Sequence, residues 1–455
     1  MSSQQMPFRH ARYPAKWDAA VWSRRFLEAE IQCDVATGFN WLARDGPERQ
    51  GPALMKLLVF AHVPPPHHGQ SYMVKLMLDG LKNGAEGIEC FHVDARFSSD
   101  LGDIGGMRIG KIFDVFRYCT RAIALRFRHG VRNFYYVPAP AQRVPLLRDW
   151  LVMLMCRPFF SRLILHWHAV GLGEWLATRG GWFTRRMTKW LLGRAELAIV
   201  LSEHNRADAE KFRPRRCAVV ANGIPDPCPD YTTLLAPRHI ARRRVRQALL
   251  DGLAPSAPDL EAAGDEPHIV NTLFLSLCTR EKGLFDAIEA VERTNRDLRE
   301  AKREISFRLT VAGSFLTKDE QVEFEKVTAM IPESERPRYL GFVSGEGKAA
   351  ALADADIFCF PTFYRTEGQP VTVIEAMAHG LPILTTRWRA IPELFELGYI
   401  GLVDPKQPSQ LTSGLLAVAR SVNGEKLRRA FLDSFSVAHH IRTLRTALQS
   451  VEAGK

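Results

Sequence analysis

No stretch of about 18 uncharged apolar residues runs anywhere along this chain, so the sequence predicts no transmembrane helix. The nearest approach, residues 151–170, is broken by Arg157 and Arg162. The opening residues are polar and lack the apolar core of a secretory leader, which predicts a cytoplasmic protein. Eight cysteines are scattered without a C-x-x-C pair or zinc-like spacing, and read as reduced thiols. No internal repeat or low-complexity tract occurs. Acidic residues are scarce where basic ones are dense: between Arg108 and Arg162, eleven Lys and Arg residues face only Asp114 and Asp149. The net charge of +11 calls for an anionic partner, whether nucleic acid, anionic membrane or phosphate-bearing substrate. No helix-turn-helix, RNP or zinc motif supports nucleic acid.

What is present is a globular composition, 46% hydrophobic and 24% charged, over 455 residues. That length predicts two domains. The most informative stretch is DIFCFPTFYRTEGQPVTVIEAMAHGLP, Asp356 to Pro382. Ile357–Phe360 is a short apolar run of β-formers, suited to a buried parallel strand. Thr362–Gln369 reads as a loop, and Pro370 stands where a helix takes its first residue. The helix stops at Gly380 and Pro382. Glu367 and Glu375 fall eight positions apart, one on the loop and one on the helix it feeds. Both can therefore face one pocket beside a helix N-terminus, which favours phosphate. Carboxylates accept hydrogen bonds from sugar hydroxyls, and Gly368 permits close backbone approach. The bland alternative is a solvated loop glutamate and an exposed helix glutamate.

This string resembles the C-terminal signature of the retaining GT-B glycosyltransferases called glycosyl transferases group 1. The family pattern is E-G, then P, then E-A-M-A, then G-x-P. Here Glu367, Gly368, Pro370, Glu375, Ala376, Met377, Ala378, Gly380 and Pro382 fill it. The resemblance extends from Met55 to the C-terminus. It implies an α/β GT-B fold, two Rossmann-like parallel-sheet domains facing each other across a cleft.

Taken in order, residues 1–54 read as an N-terminal extension ahead of a start at Met55, or equally as a short capping helix. Residues 55–229 read as a Rossmann-like domain, with strands at Leu57–Val63, Glu89–Val93, Asn133–Val137, Arg162–His168, Glu196–Ser202 and Cys217–Ala221, which the resemblance implies binds the acceptor. The PPPHHGQS loop carries Gly69, implied by the resemblance to face the donor diphosphate. Gln70 stands where many members have a second glycine. His67 and His68 read as ligands, bases or solvated residues. His168 matches a family histidine near the donor sugar, and His166 shares its strand face. H-x-H can also bind a metal, but no third ligand is apparent. Val219–Pro227 resembles the V-x-x-N-G turn closing the first domain. Residues 230–268 read as a linker with one helix.

The resemblance implies that residues 269–430 form the nucleotide-sugar-binding domain and that the helix in 431–455 packs back on the first. The family grips the donor diphosphate with an Arg and a Lys. Lys282-Gly283 fits, but the Arg position is Leu277, with Arg280 as the substitute. Backbone near Phe342 and Val343 is implied to hold the base, together with Gly368, Gln369 and Pro370. Glu375 would bind ribose, Glu367 would orient the sugar, and His168 would contact it from the other domain. Asp354-Ala355-Asp356 spells a metal-binding D-x-D, but its helix-to-strand position reads as structural.

The expected function is transfer of a sugar, with retention and without metal or cofactor, from a nucleotide-sugar donor to a glycan or lipid-linked acceptor. The setting implied is cell-envelope or exopolysaccharide assembly. Basic stretches interleaved with Phe113, Phe116, Phe127, Phe134, Tyr135, Tyr136, Trp150, Trp182, Phe183 and Trp190 predict docking on an anionic membrane. The alternatives are a solvated basic face, a catalytically degenerate sugar-nucleotide-binding protein, and an epimerase or phosphorylase on the same fold. No motif for a lysine tethering pyridoxal phosphate supports a phosphorylase.

Overall fold

The computed structural model describes residues 54–65, 69–81, 87–96 and 109–452. The readings for residues 1–53, His67, His68 and Arg108 lie outside the described residues. Two parallel sheets organise the chain. The first holds β1 (Met55–Phe60), β2 (Ile88–Val93), β3 (Asn133–Tyr136), β4 (Arg162–Trp167), β5 (Leu197–Val200) and β6 (Cys217–Val219), in spatial order 2-1-3-4-5-6. The second holds β7 (Ile269–Leu275), β8 (Ser306–Ala312), β9 (Arg338–Gly341), β10 (Ile357–Phe360), β11 (Ile383–Thr386) and β12 (Leu402–Val403), in order 12-11-10-7-8-9.

Around the first sheet lie α1 (Gly69–Gly80), α2 (Ile109–His129), α3 (Arg143–Cys156), α4 (Leu172–Arg179), α5 (Trp182–Leu192) and α6 (Glu203–Glu210). Three helices then bridge to the second sheet: α7 (Tyr231–Leu234), α8 (Ala236–Asp251) and α9 (Ala257–Ala263). The remainder are α10 (Leu284–Glu300), α11 (Lys318–Ala329), α12 (Gly345–Asp354), α13 (Val371–Ala378), α14 (Pro408–Ser421), α15 (Gly424–Ala430) and α16 (Val437–Gln449).

The central strands β1, β3, β4, β5, β10 and β11 are mostly apolar and buried because helices cover both faces, whereas β2 and β9 at the sheet edges carry Glu89, His92 and Arg338. Leu58 and Phe60 enter one core and Leu57 and Val59 the other, following the two-residue period of a strand. Fully burying such a side chain stabilises by about 1.5–3 kcal/mol. The second face of the first sheet is closed by α16, whose Ile441, Leu444 and Leu448 join Leu57, Val59 and Ile164. This face also holds His166.

Where composition reads as linker, α8 is anchored. Its Arg242 and Arg246 lie four residues apart on one helix face, and both are buried. Arg242 donates from Nε and Nη2 to the two Asp356 oxygens at 2.6 and 2.7 Å. Arg246 adds a bond to Oδ1 at 2.8 Å. Asp354 pairs with Arg238 at 3.3 Å. The D-A-D run thus pins α8 to the amino end of β10.

The interleaved aromatics separate into two groups. Phe134, Tyr135 and Tyr136 are core residues on β3, at most 2% exposed. They do not belong to a docking surface, because β3 is an interior strand buried on both faces. Trp150 is half-buried and donates to Thr188 Oγ1 at 2.9 Å.

Candidate functional site

The strand order of the second sheet reverses between β7 and β10, and ligands in open α/β sheets sit outside the carboxyl ends of strands at such a switch. The loops that leave β7 and β10 carry Lys282 and Glu367. Lys282 ends a single 3-10 turn, Arg280–Lys282, whose cap Thr279 accepts from the Lys282 N–H at 3.3 Å. Gly283 follows at φ +85°, and a Cβ there would lie 2.3 Å from the Pro361 carbonyl oxygen. Only glycine fits that left-handed, close-packed turn, which presses the lysine loop onto the end of β10.

Lys282 Nζ donates to Glu367 Oε2 at 2.6 Å, and Thr362 Oγ1 donates to the same oxygen at 3.2 Å. Both partners are largely buried, at 13% and 9% side-chain exposure. The ammonium also lies 4.5 Å from the Tyr364 ring centroid and 5.6 Å from that of Phe360. A second pair stands beside it: Lys348 Nζ of α12 donates to Glu375 Oε1 of α13 at 2.5 Å. Each glutamate therefore engages one oxygen with a lysine, and among the described residues the other has no hydrogen-bond partner. Burial first, and Glu375 second, raise the pKa of Tyr72, which places that α1 phenol near the Glu375 carboxylate.

The first domain closes over this loop. A Cβ on Gly368 would lie 2.6 Å from the His168 carbonyl oxygen, so glycine allows the end of β4 to touch the signature loop. A Cβ on Gly69 would lie 3.7 Å from Val371. The N-terminal ends of α1 and α13 thus meet, and both supply partial positive charge. Gln369 is a bridge between domains: the Asn222 N–H donates to its Oε1 at 2.6 Å, and Asn222 Nδ2 to its backbone oxygen at 3.0 Å. Glu393 of the second domain caps α6, accepting from the Glu203 and His204 N–H groups at 2.8 and 2.6 Å.

His168 follows β4, half-buried, its ring centroid 4.1 Å from that of His166. His166 is fully buried and shares a 2.5 Å hydrogen bond, through Nδ1, with the Tyr135 hydroxyl. Burial, then His168 and His440, holds His166 well below the ordinary histidine range, so it is neutral at physiological pH. Among the described residues no cluster of three His, Cys, Asp or Glu side chains forms a metal-holding group.

Of the expected donor residues, Lys282, Glu367, Gly368, Gln369 and Pro370 come together, with Glu375 on the helix behind them. Pro370 is one position earlier than expected, an extended cap rather than the first helical residue. Arg280 does not join them. Its guanidinium pairs with Glu323 and stacks 4.7 Å from the Phe285 ring centroid. Phe342 is exposed, while Val343 packs on the second core. Sequence reasoning missed Lys348, whose only local signal is its place in the first turn of α12. Its partner lies 27 residues on, beyond any helical period.

Residues 270–421 match the family described as glycosyl transferases group 1. Over 159 residues the chain is 32% identical to the putative colanic acid biosynthesis glycosyltransferase WcaL of Salmonella typhimurium, covering 33% of this chain and 36% of that protein. The amylovoran biosynthesis glycosyltransferase AmsK of Erwinia amylovora is 28% identical over 169 residues, 36% of this chain and 39% of the relative. These alignments span little more than a third of the relatives' lengths. Among solved structures, Anabaena HepE in complex with UDP superposes with a TM-score of 0.58 at 14% identity, covering 87% of this chain and all of that one. The sucrose-phosphate synthase of Thermosynechococcus elongatus gives 0.59 at 15% identity over 88% of this chain and all of that one. The chain therefore has the GT-B fold, and residues 270–421 of its second domain are similar to the glycosyl transferases group 1 family.

Proposed function

We propose that this protein transfers a glycosyl unit from a nucleotide-sugar donor to an acceptor hydroxyl, with retention, in exopolysaccharide or cell-envelope assembly. The observation that carries the reading is the Lys282–Glu367 pair at the switch point of the second sheet, with His168 of the first domain against Gly368. Lys282 is placed to meet the charge that develops on a departing diphosphate, helped by the α1 and α13 N-termini. The free oxygen of Glu367 accepts from the sugar hydroxyls, and that of Glu375 from the ribose. The relatives named for colanic acid and amylovoran biosynthesis, and a structural neighbour that holds UDP, support the substrate class.

Asp354 and Asp356 are engaged by arginines, so the reading gives phosphate neutralisation to Lys282 rather than to a carboxylate-held cation. A second reading, a sugar-nucleotide-binding protein without turnover, is favoured by Leu277 and by the outward turn of Arg280. The test is a panel of nucleotide sugars scored for binding and for hydrolysis or transfer, with and without EDTA. Donor consumption that persists in EDTA is expected. Binding without consumption would favour the second reading, and a strict need for magnesium or manganese would return the D-A-D run to metal binding.

Docking on an anionic membrane belongs to the same reading. Among the described residues no helix is long and apolar enough to cross a bilayer. The short helix α5 buries Thr188, Leu191 and Leu192 and turns Trp182 and Trp190 outward, 75% and 65% exposed. Phe183 and the exposed Arg185, Arg186 and Lys189 flank them. Phe113 and Phe127 of α2 and Phe159 after α3 are exposed as well. Aromatic rings seat at the headgroup level, and each basic residue near anionic lipid contributes about 1 kcal/mol. Co-sedimentation should occur with anionic vesicles at low salt, weaken as salt rises, and fall in a Trp182→Ala/Trp190→Ala variant. Protein left in the supernatant with anionic vesicles at low salt would point to a soluble acceptor.

A further inference from the structure

A second concentration of polar groups lies at the opposite end of the second sheet. Asp356 directly precedes β10 and Pro382 directly precedes β11, whereas Lys282 and Glu367 follow the carboxyl ends of β7 and β10. The cavity there is lined by Tyr231, His239, Arg243, Arg246, Asp356 and Glu425, with Gly380 and Pro382 at its wall. It is therefore remote from the donor cleft along the strand direction.

Its donors are under-used. Arg246 is 3% exposed and bonds Asp356 through Nη1 at 2.8 Å, yet its Nε is buried without a partner among the described residues. Both ring nitrogens of His239 are buried and equally unpartnered. Arg243 lines the cavity and forms no ion pair among the described residues. Asp356 is the buried counter-charge, and Arg242 already engages both of its oxygens. Glu425 stands exposed at the rim. Arg243 and Arg246 of the lining, with Arg242 behind them on Asp356, thus share two carboxylates, one of them in solvent. Burial pulls Arg246 below its usual pKa in spite of Asp356, the mark of a cation whose compensation is incomplete. Burial also holds His239 down at about 4, so it is neutral and offers one N–H.

Unpaired buried donors are unfavourable, and water can satisfy them without neutralising the excess charge. A tetrahedral oxyanion does both, since guanidinium forks match its geometry. We infer that this cavity binds a phosphate-class oxyanion, either inorganic phosphate or the phosphoryl group of a small metabolite, held by Arg243, Arg246 and His239 with the Tyr231 hydroxyl beside them.

The inference is independent of the donor-site reading, and the experiment separates the two. Thermal shift and calorimetry on the full chain would compare inorganic phosphate, glucose 1-phosphate and chloride at matched ionic strength. Phosphate should stabilise the protein where chloride does not. Arg243→Gln should weaken phosphate binding at least about tenfold, the loss of a charge-assisted bond. Arg243 has no partner to lose, so the variant should keep the unliganded melting temperature. Lys282→Met, which alters the donor site, should keep the phosphate response, and Glu425→Gln should strengthen it. Tighter binding of glucose 1-phosphate than of phosphate would identify a phosphorylated metabolite as the source. Equal stabilisation by chloride, an unchanged response in Arg243→Gln, or loss of the response in Lys282→Met would each overturn the inference.

Discussion

Lys282→Met should lower kcat for sugar transfer by about 100- to 1000-fold, the usual consequence of deleting one preorganised donor aimed at developing charge. The ammonium is fixed before the donor arrives. Glu367 Oε2 holds it at 2.6 Å, and the rings of Tyr364 and Phe360 flank it. Methionine retains the apolar stem and removes only the charge. On the proposed reading the interaction strengthens as a diphosphate departs, so kcat should fall more than KM rises. Lys282→Arg should not rescue, since a planar fork does not fill the place of a compact ammonium between two rings. Glu367→Gln should reduce turnover as well, because it leaves Lys282 without its counter-charge and changes the acceptor offered to the sugar. Steady-state kinetics decides it: a kcat near wild type for Lys282→Met removes this lysine from the reaction.

Asp356→Ala should be the most damaging change to stability outside the cleft, by about 3–5 kcal/mol, the penalty for breaking a buried ion pair from one side. Arg242 and Arg246, 2% and 3% exposed, would be left in the interior without a carboxylate. Chemical denaturation measures this as a lower midpoint. A triple variant, Asp356→Leu with Arg242→Met and Arg246→Met, should recover much of the loss, because apolar side chains of similar size need no counter-charge. The pH dependence has a definite sign. Burial alone would raise the Asp356 carboxyl, but Arg246 and Arg242 outweigh it and hold it below the ordinary value. Its contribution is complete above the ordinary carboxylate pKa and is lost as pH falls through the depressed folded value. A midpoint for Asp356→Ala equal to wild type would mean that α8 is held by something other than this cluster.

Much of the architecture is legible in the sequence because the central strands, such as β1, β5, β10 and β11, are buried on both faces and so read as apolar runs between helical periods. The signature loop is legible for a different reason. Glu367, Gly368, Pro370 and Glu375 lie within nine residues, and one strand, one turn and one helix suffice to bring them together. Long-range pairings are not legible. Nothing local says that Lys348 reaches Glu375, or that Arg242 and Arg246 of a charge-rich helix are buried on Asp356 more than a hundred residues away. Arg280 illustrates the converse. Its spacing puts it on the right loop, but a free rotamer and a nearby Glu323 turn it outward. Phe134, Tyr135 and Tyr136 look like docking aromatics in a basic stretch, and only the place of β3 inside the sheet makes them core.

The central claim, that the loops after β7 and β10 hold a nucleotide sugar, is tested most directly by running the nucleotide-sugar panel in EDTA on the wild-type protein and Glu375→Gln side by side. The account predicts that the wild type binds and consumes one donor, that Glu375→Gln binds it far more weakly, and that both proteins melt at similar temperatures. Binding of a donor with equal affinity by both proteins, or no binding of any nucleotide sugar by the folded wild type, would contradict it.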